Sequence, residues 1–233
     1  TGNAKSWSSA AISSDQIGPM QDLGGYGSFA YRIMLDNSKL SFGIQAGIRR
    51  YDINWGMVNF NQSGDIILNG QVKNSVIPDA NFGVYWYSDW FYLGLSSKHL
   101  LQNKYAEIVL DEKTVYSTLL RHFYAMGGIA VPVSDNIVLK PSALVKYTQN
   151  APVQLDVNLS ALFNDFFWIG ASYRTKQAFV AILEFNITDQ IRIGYSYDLM
   201  FNELRVYNKG SHEIMLGFDI GRSDSRMLSP RFF

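Results

Sequence analysis

The sequence contains no cysteine among its 233 residues, which excludes a disulfide scaffold, a zinc finger and a thiol nucleophile. Charged residues make up only 17%, against about 25% in a typical soluble domain. The 20 Lys and Arg residues balance 20 Asp and Glu residues, so binding to nucleic acid is not expected. No run of about 18 apolar residues is present, so no transmembrane helix is predicted. The first ten residues also lack the basic and apolar regions of a signal peptide.

The residues that usually carry enzyme chemistry are few and scattered. The three histidines, His99, His122 and His212, belong to separate segments without metal-ligand spacing. No nucleophile elbow, zinc-protease, P-loop or dinucleotide-binding motif is present. Asp65 and Asp79 fall in one long connection, but they lack the dense carboxylate spacing of a calcium site. We therefore expect no enzymatic activity, no cofactor and no metal.

The dominant pattern is strict alternation of apolar and polar residues, which is typical of strands with two unlike faces. From residue 153 to 161, Val, Leu, Val, Leu and Ala alternate with Gln, Asp, Asn and Ser. Most segments of this kind run about 8–12 residues, close to the length of a tilted strand that crosses a bilayer. Twelve strands are predicted, at 6–14, 26–35, 40–51, 81–88, 91–98, 119–133, 137–147, 152–163, 166–174, 177–187, 190–200 and 210–220.

The connections between these strands alternate in kind. Every other connection is short and rich in Asp, Asn and Ser, residues that favour tight turns: 36–39, 88–90, 134–136, 164–165 and 188–189. Several intervening connections are long, at 52–80, 99–118 and 201–209. Short turns on one side and long loops on the other are typical of an up-and-down outer-membrane β-barrel. An even strand count would place both termini in the periplasm.

A soluble antiparallel sandwich also alternates, but two features favour the membrane barrel. The polar face is rich in Gly, Ser, Asn and Gln rather than in Lys and Glu. The apolar face carries aromatic residues near strand ends, as membrane interfaces do: Phe29, Tyr31, Trp86, Phe91, Phe167, Tyr173, Phe185 and Tyr197. We therefore predict an all-β, antiparallel, transmembrane barrel over residues 1–220 and a periplasmic C-terminal tail over 221–233.

The polar face would point into the barrel and bring charges of both signs together. One interpretation is a network of paired charges that fills a narrow lumen, and the other is a charged pore. The interior of a small barrel is nearly filled by side chains, which favours the network. Its predicted members are Arg32, Arg49, Lys140, Lys146, Asp156, Arg174, Glu184, Arg192, Asp198, Glu213 and Asp219.

Aromatic residues also fall in or beside the long connections. Aromatic side chains dominate interface energetics, and loops on a rigid scaffold often bind partners. The alternative is that these rings pack over the mouth of the barrel, and the sequence favours neither. The residues concerned are Trp55, Phe60, Tyr105, Tyr116, Phe201 and Tyr207.

Several specific short sequence motifs occur along the chain from residue 78 onward. They include Pro-Asp-Ala-Asn-Phe-Gly-Val-Tyr at 78–85, Arg-His-Phe-Tyr at 121–124, Trp-Ile-Gly-Ala-Ser-Tyr-Arg at 168–174, Gly-Ser-His-Glu-Ile at 210–214 and the closing Ser-Pro-Arg-Phe-Phe at 229–233. In this order they resemble the PorP/SprF family of Bacteroidetes outer-membrane proteins. That family is linked to the type IX secretion system and, in gliding species, to surface adhesins.

The resemblance implies a non-enzymatic accessory barrel. Its partners would be a secreted substrate or surface adhesin, bound through the C-terminal domain of that protein, other type IX secretion components, and outer-membrane lipid. Family members usually begin with a further segment that is absent here, and if it adds two strands the complete barrel has about fourteen. The motif residues Ser211, His212 and Glu213 become candidates for binding.

The tail has two interpretations under the same resemblance. Ser229, Pro230, Arg231, Phe232 and Phe233 would form a periplasmic docking tail, or Phe233 would serve recognition by the barrel-assembly machinery. The first is favoured because about a dozen residues separate the last predicted strand from the end. Besides a secretion barrel, a transport barrel for a small or hydrophobic solute and a soluble adhesive β-domain remain as alternatives.

Overall fold

The computed structural model describes residues 5–53, 75–110, 113–188, 190–206 and 210–218. Within these ranges the chain is almost entirely β-strand, with one short 3-10 helix at Glu203–Val206. No helix in the described ranges is long and apolar enough to cross a membrane.

Fifteen strands follow one another along the described chain. They are β1 (Lys5–Ile17), β2 (Met20–Leu35), β3 (Ser38–Ile53), β4 (Ser75–Tyr87), β5 (Phe91–Lys98), β6 (Lys104–Leu110), β7 (Lys113–Thr118), β8 (His122–Ile129), β9 (Val131–Ser134), β10 (Ile137–Thr148), β11 (Gln154–Phe163), β12 (Phe167–Arg174), β13 (Ala178–Asn186), β14 (Ile191–Met200) and β15 (Ser211–Phe218).

Thirteen of these strands form one antiparallel sheet in the order β1-β2-β3-β4-β5-β8-β10-β11-β12-β13-β14-β15, with β9 also paired to β10. Strands β6 and β7 form a separate hairpin between β5 and β8. The prediction of an all-β, antiparallel, up-and-down sheet is confirmed, and the arrangement is consistent with a β-barrel. Over the described residues, no pairing joins β1 to β15.

The short predicted turns all connect neighbouring strands at one end of this sheet, which we call the short-turn end. Asn164 and Asp165 both have positive φ, of 51° and 55°, a conformation that Asn and Asp tolerate better than most residues. The chain therefore reverses direction within the few residues between β11 and β12. The opposite end carries the connections 54–74, 99–121 and 201–210, and we call it the long-connection end.

Several predicted boundaries were wrong. The predicted strand 119–133 is two strands, β8 and β9. The connection at 99–118 contains the hairpin β6–β7, and β2 and β4 begin at Met20 and Ser75 rather than at 26 and 81. The extra residues of β2 and β4 include glycine, Pro78 and Asp79, which have low strand propensity. They are strands because β3 pairs with both along its length, which the local sequence does not reveal.

The two faces of the sheet differ in chemistry. Side chains on the outer face are apolar and exposed, as at Ile44 (56%) and Leu159 (55%). Among described strand residues of the main sheet, only Arg50 and Asp52 place charge on this face, and they form an ion pair of 2.8 Å. The other strand charges share the inner face, so the outer face suits contact with lipid.

Aromatic rings form two belts on the outer face, and all eight predicted aromatic residues lie there. At the short-turn end, the rings of Phe167 and Phe185 lie 4.9 Å apart. At the other end, Tyr173 and Phe179 lie 5.0 Å apart. Between Phe167 and Tyr173 the strand rises about 20 Å at ~3.3 Å per residue. This spacing is close to the apolar band of about 25 Å, flanked by aromatic girdles, of outer-membrane barrels.

Glycines on the inner face leave room for tyrosine rings. A Cβ at Gly47 would lie 2.6 Å from the Tyr26 ring and 2.2 Å from the carbonyl oxygen of Gly25. A Cβ at Gly128 would lie 2.6 Å from the ring of Tyr92. Each ring therefore lies flat against the sheet, which keeps large side chains inside a narrow interior.

Candidate functional site

The polar inner face at the long-connection end is the candidate site. It joins the wall of the sheet to the long connections. Two clusters of titratable side chains lie there, one on β2–β5 and one on β10–β14. A third lies at the short-turn end.

The first cluster, which we call the His99 cluster, consists of Asp22, Tyr26, Arg49, Asp79 and His99. His99 Nδ1 lies 2.8 Å from Asp79 Oδ2, and Tyr26 donates its hydroxyl to the same oxygen at 3.1 Å. Arg49 Nη1 lies 3.2 Å from His99 Nε2, and its Nε donates to Asp22 at 3.3 Å. A second Arg49 nitrogen, Nη2, also bonds Asp22. Residues of three strands, β2, β3 and β4, thus gather around one imidazole.

The neighbours of His99 fix its protonation state. An arginine nitrogen can only donate, so Nε2 must accept and the proton must lie on Nδ1, from which it is donated to Asp79. Burial lowers the pKa of His99 from its ordinary value near 6.5, and the opposing attraction of Asp79 does not restore it. His99 is therefore neutral at pH 7.

A row of side-chain amides leads to the same histidine. Gln45 donates to Ser28 Oγ at 2.9 Å, Asn81 donates to Gln45 at 2.7 Å, and the backbone N–H of His99 donates to Asn81 at 2.9 Å. These residues lie opposite one another on successive strands. The row satisfies buried polar groups without any charge.

After His99 the chain runs back along the part of β4 that β5 does not pair with. We call this segment the strap. Leu100 N–H donates to Ala80 O at 2.9 Å, and Asn103 donates its side-chain amide to Pro78 O at 2.7 Å. Arg121 returns from the other side of the hairpin and donates to Leu100 O at 2.7 Å. The strap, residues 99–103, therefore fixes the base of the β6–β7 hairpin to the rim of the sheet.

The second cluster, the Asp156 cluster, is a chain of alternating charges. Asp156 is buried and lies 2.7 Å from Lys146 Nζ and 3.6 Å from Arg174 Nε. Arg174 also donates to Asp198 at 3.3 Å. The residues come from β10, β11, β12 and β14, so the cluster ties four strands together across the inner face.

The third cluster lies toward the short-turn end. Lys140, only 3% exposed, places Nζ 4.3 Å from the centre of the Trp168 ring. Glu184 lies opposite Trp168 in the β12–β13 register. The ammonium over the indole face is a cation–π contact, which is stronger when water is excluded.

Ten of the eleven predicted lumen charges lie on the inner face, and Asp219 lies outside the described residues. Arg32 lies over the rings of Trp7 and Tyr87, at 5.3 Å and 5.5 Å. Glu213 accepts a hydrogen bond from Ser196 at 3.2 Å. Sequence reasoning missed Asp22, because the strand phase before residue 26 was not recognised, and did not include Asp79 in the network.

Of the six predicted loop aromatics, three lie in the described part of the chain. Phe201 stacks on Tyr173 at 6.0 Å and contacts Phe179 at 5.3 Å, so it belongs to the outer aromatic belt. Tyr105 and Tyr116 belong to β6 and β7. The remaining three, Trp55, Phe60 and Tyr207, lie outside the described residues.

The predicted motif residues lie on a described strand. Ser211, His212 and Glu213 begin β15, and His212 Nδ1 lies 2.7 Å from the Tyr195 hydroxyl on the outer face. The tail residues Ser229, Pro230, Arg231, Phe232 and Phe233 lie outside the described ranges.

The contacts within these clusters run between strands and to the strap. In the described ranges, no group of three His, Cys, Asp or Glu side chains could hold a metal ion. Both nitrogens of His99 are engaged by Asp79 and Arg49, which leaves neither available as a general base. The polar groups hold strands and a strap in place.

Comparison with known families gives one result. The family model for the type IX secretion system membrane protein PorP/SprF matches residues 4–218. A comparison with curated proteins found no match.

Proposed function

The chain belongs to the PorP/SprF family of type IX secretion system membrane proteins, and we propose that it acts there as a non-enzymatic outer-membrane barrel that binds other proteins. Its partner would be a secreted substrate or surface adhesin, contacted through the C-terminal domain of that protein, or the periplasmic machinery. Family membership also implies a Bacteroidetes source and a link to gliding motility.

The observation that carries this proposal is the mutual pairing of the inner charges. Lys146, Asp156, Arg174 and Asp198 neutralise one another across four strands. An ion-selective pore instead uses rings of side chains of one sign facing open water. A paired interior therefore supports a rigid scaffold over a transport barrel for a small or hydrophobic solute.

The outer face supports placement in the outer membrane. It has apolar residues between two aromatic belts, and outer-membrane lipid would cover it. We propose that residues 1–220 form the barrel, that 221–233 form a periplasmic tail, and that both termini face the periplasm.

The contacts with partners would lie at the two ends of the barrel. On the long-connection side, the candidates are the aromatic residues Trp55, Phe60, Tyr105, Tyr116 and Tyr207, on connections held by a rigid wall. On the periplasmic side, the candidates are Ser229–Phe233, in which Arg231 and the two phenylalanines would contact the partner.

The test is affinity purification of the tagged protein from its native envelope, followed by mass spectrometry. We expect type IX secretion components or a large surface protein to co-purify. Replacing residues 104–118 by a short turn should remove a partner bound at the long-connection end. Deleting 229–233 should remove a periplasmic partner. Replacing Asp135 and Asn136 by glycines, at the short-turn end, is the matched control.

Single-channel recording in planar bilayers separates the alternatives. Purification of the barrel alone, together with a steady conductance, would overturn the secretion role and support solute transport. Partner recovery without conductance is the expected result.

A further inference from the structure

We propose that His99 is a pH-operated clasp, which in its neutral form holds the base of the β6–β7 hairpin on the rim and which loosens that base when it is protonated. This inference goes beyond the secretion role and does not depend on it. It rests on the three contacts that meet at one residue of the strap.

His99 joins the strap to two neighbouring strands of the wall, β3 and β4. Its backbone N–H is bonded to Asn81, its Nδ1 to Asp79 and its Nε2 to Arg49. It also has positive φ, 58°, a conformation that non-glycine residues adopt rarely and that the surrounding contacts must maintain. The side chain is mostly buried, with 13% exposed.

A second proton on the His99 ring would disrupt its contact with Arg49. Protonated Nε2 could no longer accept from Arg49, and two donors would face each other at 3.2 Å. Arg49 cannot lose its proton, and it is held in place by Asp22. The imidazolium would therefore have to turn away or push Arg49 from its position.

Several charged or titratable groups lie around His99. Asp79 from β4 and Tyr26 from β2 lie on one side of the ring, and Arg49 from β3 lies on the other. From β8, the His122 ring lies 5.6 Å away, centre to centre. The adjacent residue Lys98 ends β5, Asp22 acts through Arg49, and Arg121 binds the strap at Leu100.

The balance of these groups favours the neutral ring. Burial lowers the pKa of His99, and Arg49 and His122 lower it further, against the attraction of Asp79. The unfolded chain therefore binds the proton more readily than the folded protein does. Stability from the clasp is fully present above about pH 6.5, the unfolded value, and is lost as the pH falls through the lower folded value.

The absence of cysteine from the chain allows a direct test. We would attach spin labels to cysteines introduced by Lys113→Cys, in β7, and Asn37→Cys, in a short turn. The distance distribution between the labels would be measured by pulsed electron resonance on the full chain in lipid nanodiscs, at pH 8 and pH 5. We expect a narrow distribution at pH 8 that broadens at pH 5.

Three variants in the labelled background decide the result. His99→Asn keeps a donor for Asp79 but does not titrate, so its distribution should be the same at both pH values. His99→Ala removes both side-chain contacts and should be broad at both. His212→Asn is the matched control, because it removes a histidine from the opposite edge of the sheet, and it should keep the pH response.

Two results would overturn the proposal. One is a distribution in the unmutated background that does not change between pH 8 and pH 5. The other is a pH response that persists in His99→Asn. A circular dichroism spectrum and the heat-dependent gel shift of a folded barrel show that each variant is folded. If His99→Ala does not fold, His99→Asn alone decides the test.

Discussion

The first four strands and the last six build the same sheet in different ways. Strands β1–β4 are 13 to 16 residues long, whereas β10–β15 are 8 to 12 residues long. About 9–11 residues cross a bilayer at the usual tilt. The later strands therefore match the membrane, and the earlier strands extend beyond it at the long-connection end.

The inner chemistry follows this difference. The later strands hold the Asp156 cluster, in which ionised groups neutralise one another. The extended part of the earlier strands holds the His99 cluster, in which a neutral imidazole lies between Asp79 and the Asp22–Arg49 ion pair. The outer face shows the same difference, because its charged strand residues, Arg50 and Asp52, lie in the extended part of β3. Depth in the membrane, rather than position in the sequence, decides where charge is tolerated on the outer face.

The largest expected effect comes from breaking the Asp156 cluster. Asp156→Ala leaves two cations facing each other in a buried site, and we expect a loss of about 3–5 kcal/mol of unfolding free energy. Urea unfolding in lipid vesicles, followed by tryptophan fluorescence, measures it. Asp22→Ala should cost less, because the Asp22 side chain is more exposed than that of Asp156, at 21% against 8%. Equal losses would contradict the contrast between the halves.

The second prediction tests depth on the outer face. Leu159→Arg places a cation between the aromatic belts, and we expect a loss of about 2–4 kcal/mol, whereas Val76→Arg, in the extension of β4, should cost about 0–1 kcal/mol. The same unfolding measurement applies to both. If Val76→Arg were as costly as Leu159→Arg, the extension would lie within the membrane.

The third prediction concerns packing inside the earlier strands. Gly47→Ala would place a Cβ 2.2 Å from a backbone oxygen, and we expect a cost of about 1–3 kcal/mol from overpacking. Gly43→Ala is the matched control on the same strand and face, because its Cβ would find its nearest atom at 3.9 Å. Similar stabilities of the two variants would count against the position of the Tyr26 ring.

The smallest expected effect is at the outer ion pair. Arg50→Ala removes a pair in which the arginine side chain is 53% exposed, and we expect a change of at most about 1 kcal/mol. The change should shrink in 1 M salt, where screening is strong. A larger, salt-independent loss would mean that this pair is buried against lipid or protein.

The sequence predicted the fold class and the two faces well because both depend on period-two alternation. Residues 153–161, for example, alternate without interruption and form β11 in the predicted phase. The extension of β2 was missed because Gly24, Gly25 and Gly27 have no side chain and so show no alternation between an apolar and a polar face. The hairpin β6–β7 was missed because it pairs only with itself, outside the repeat of long strands.

The candidate site was harder to predict than the fold. Which charges share a face follows from alternation, so the members of the Asp156 cluster were identified. Which charges meet depends on the register between strands distant in sequence, such as Tyr26 and Asp79. The role of His99 depends on a positive φ and a backbone hydrogen bond, and neither has a sequence signal at this position.

The order of strands in the sheet also bears on how the protein folds. Most strands of the main sheet pair with the next one along the chain, so most pairings close short loops and can form quickly. Two pairings enclose longer segments: β3 with β4 encloses residues 54–74, and β5 with β8 encloses residues 99–121. The hairpin β6–β7 forms from local pairing within that segment, and it leaves a shorter effective loop to close. The entropic cost of closing a loop rises with its length, so the hairpin speeds the step that joins the first half of the sheet to the second.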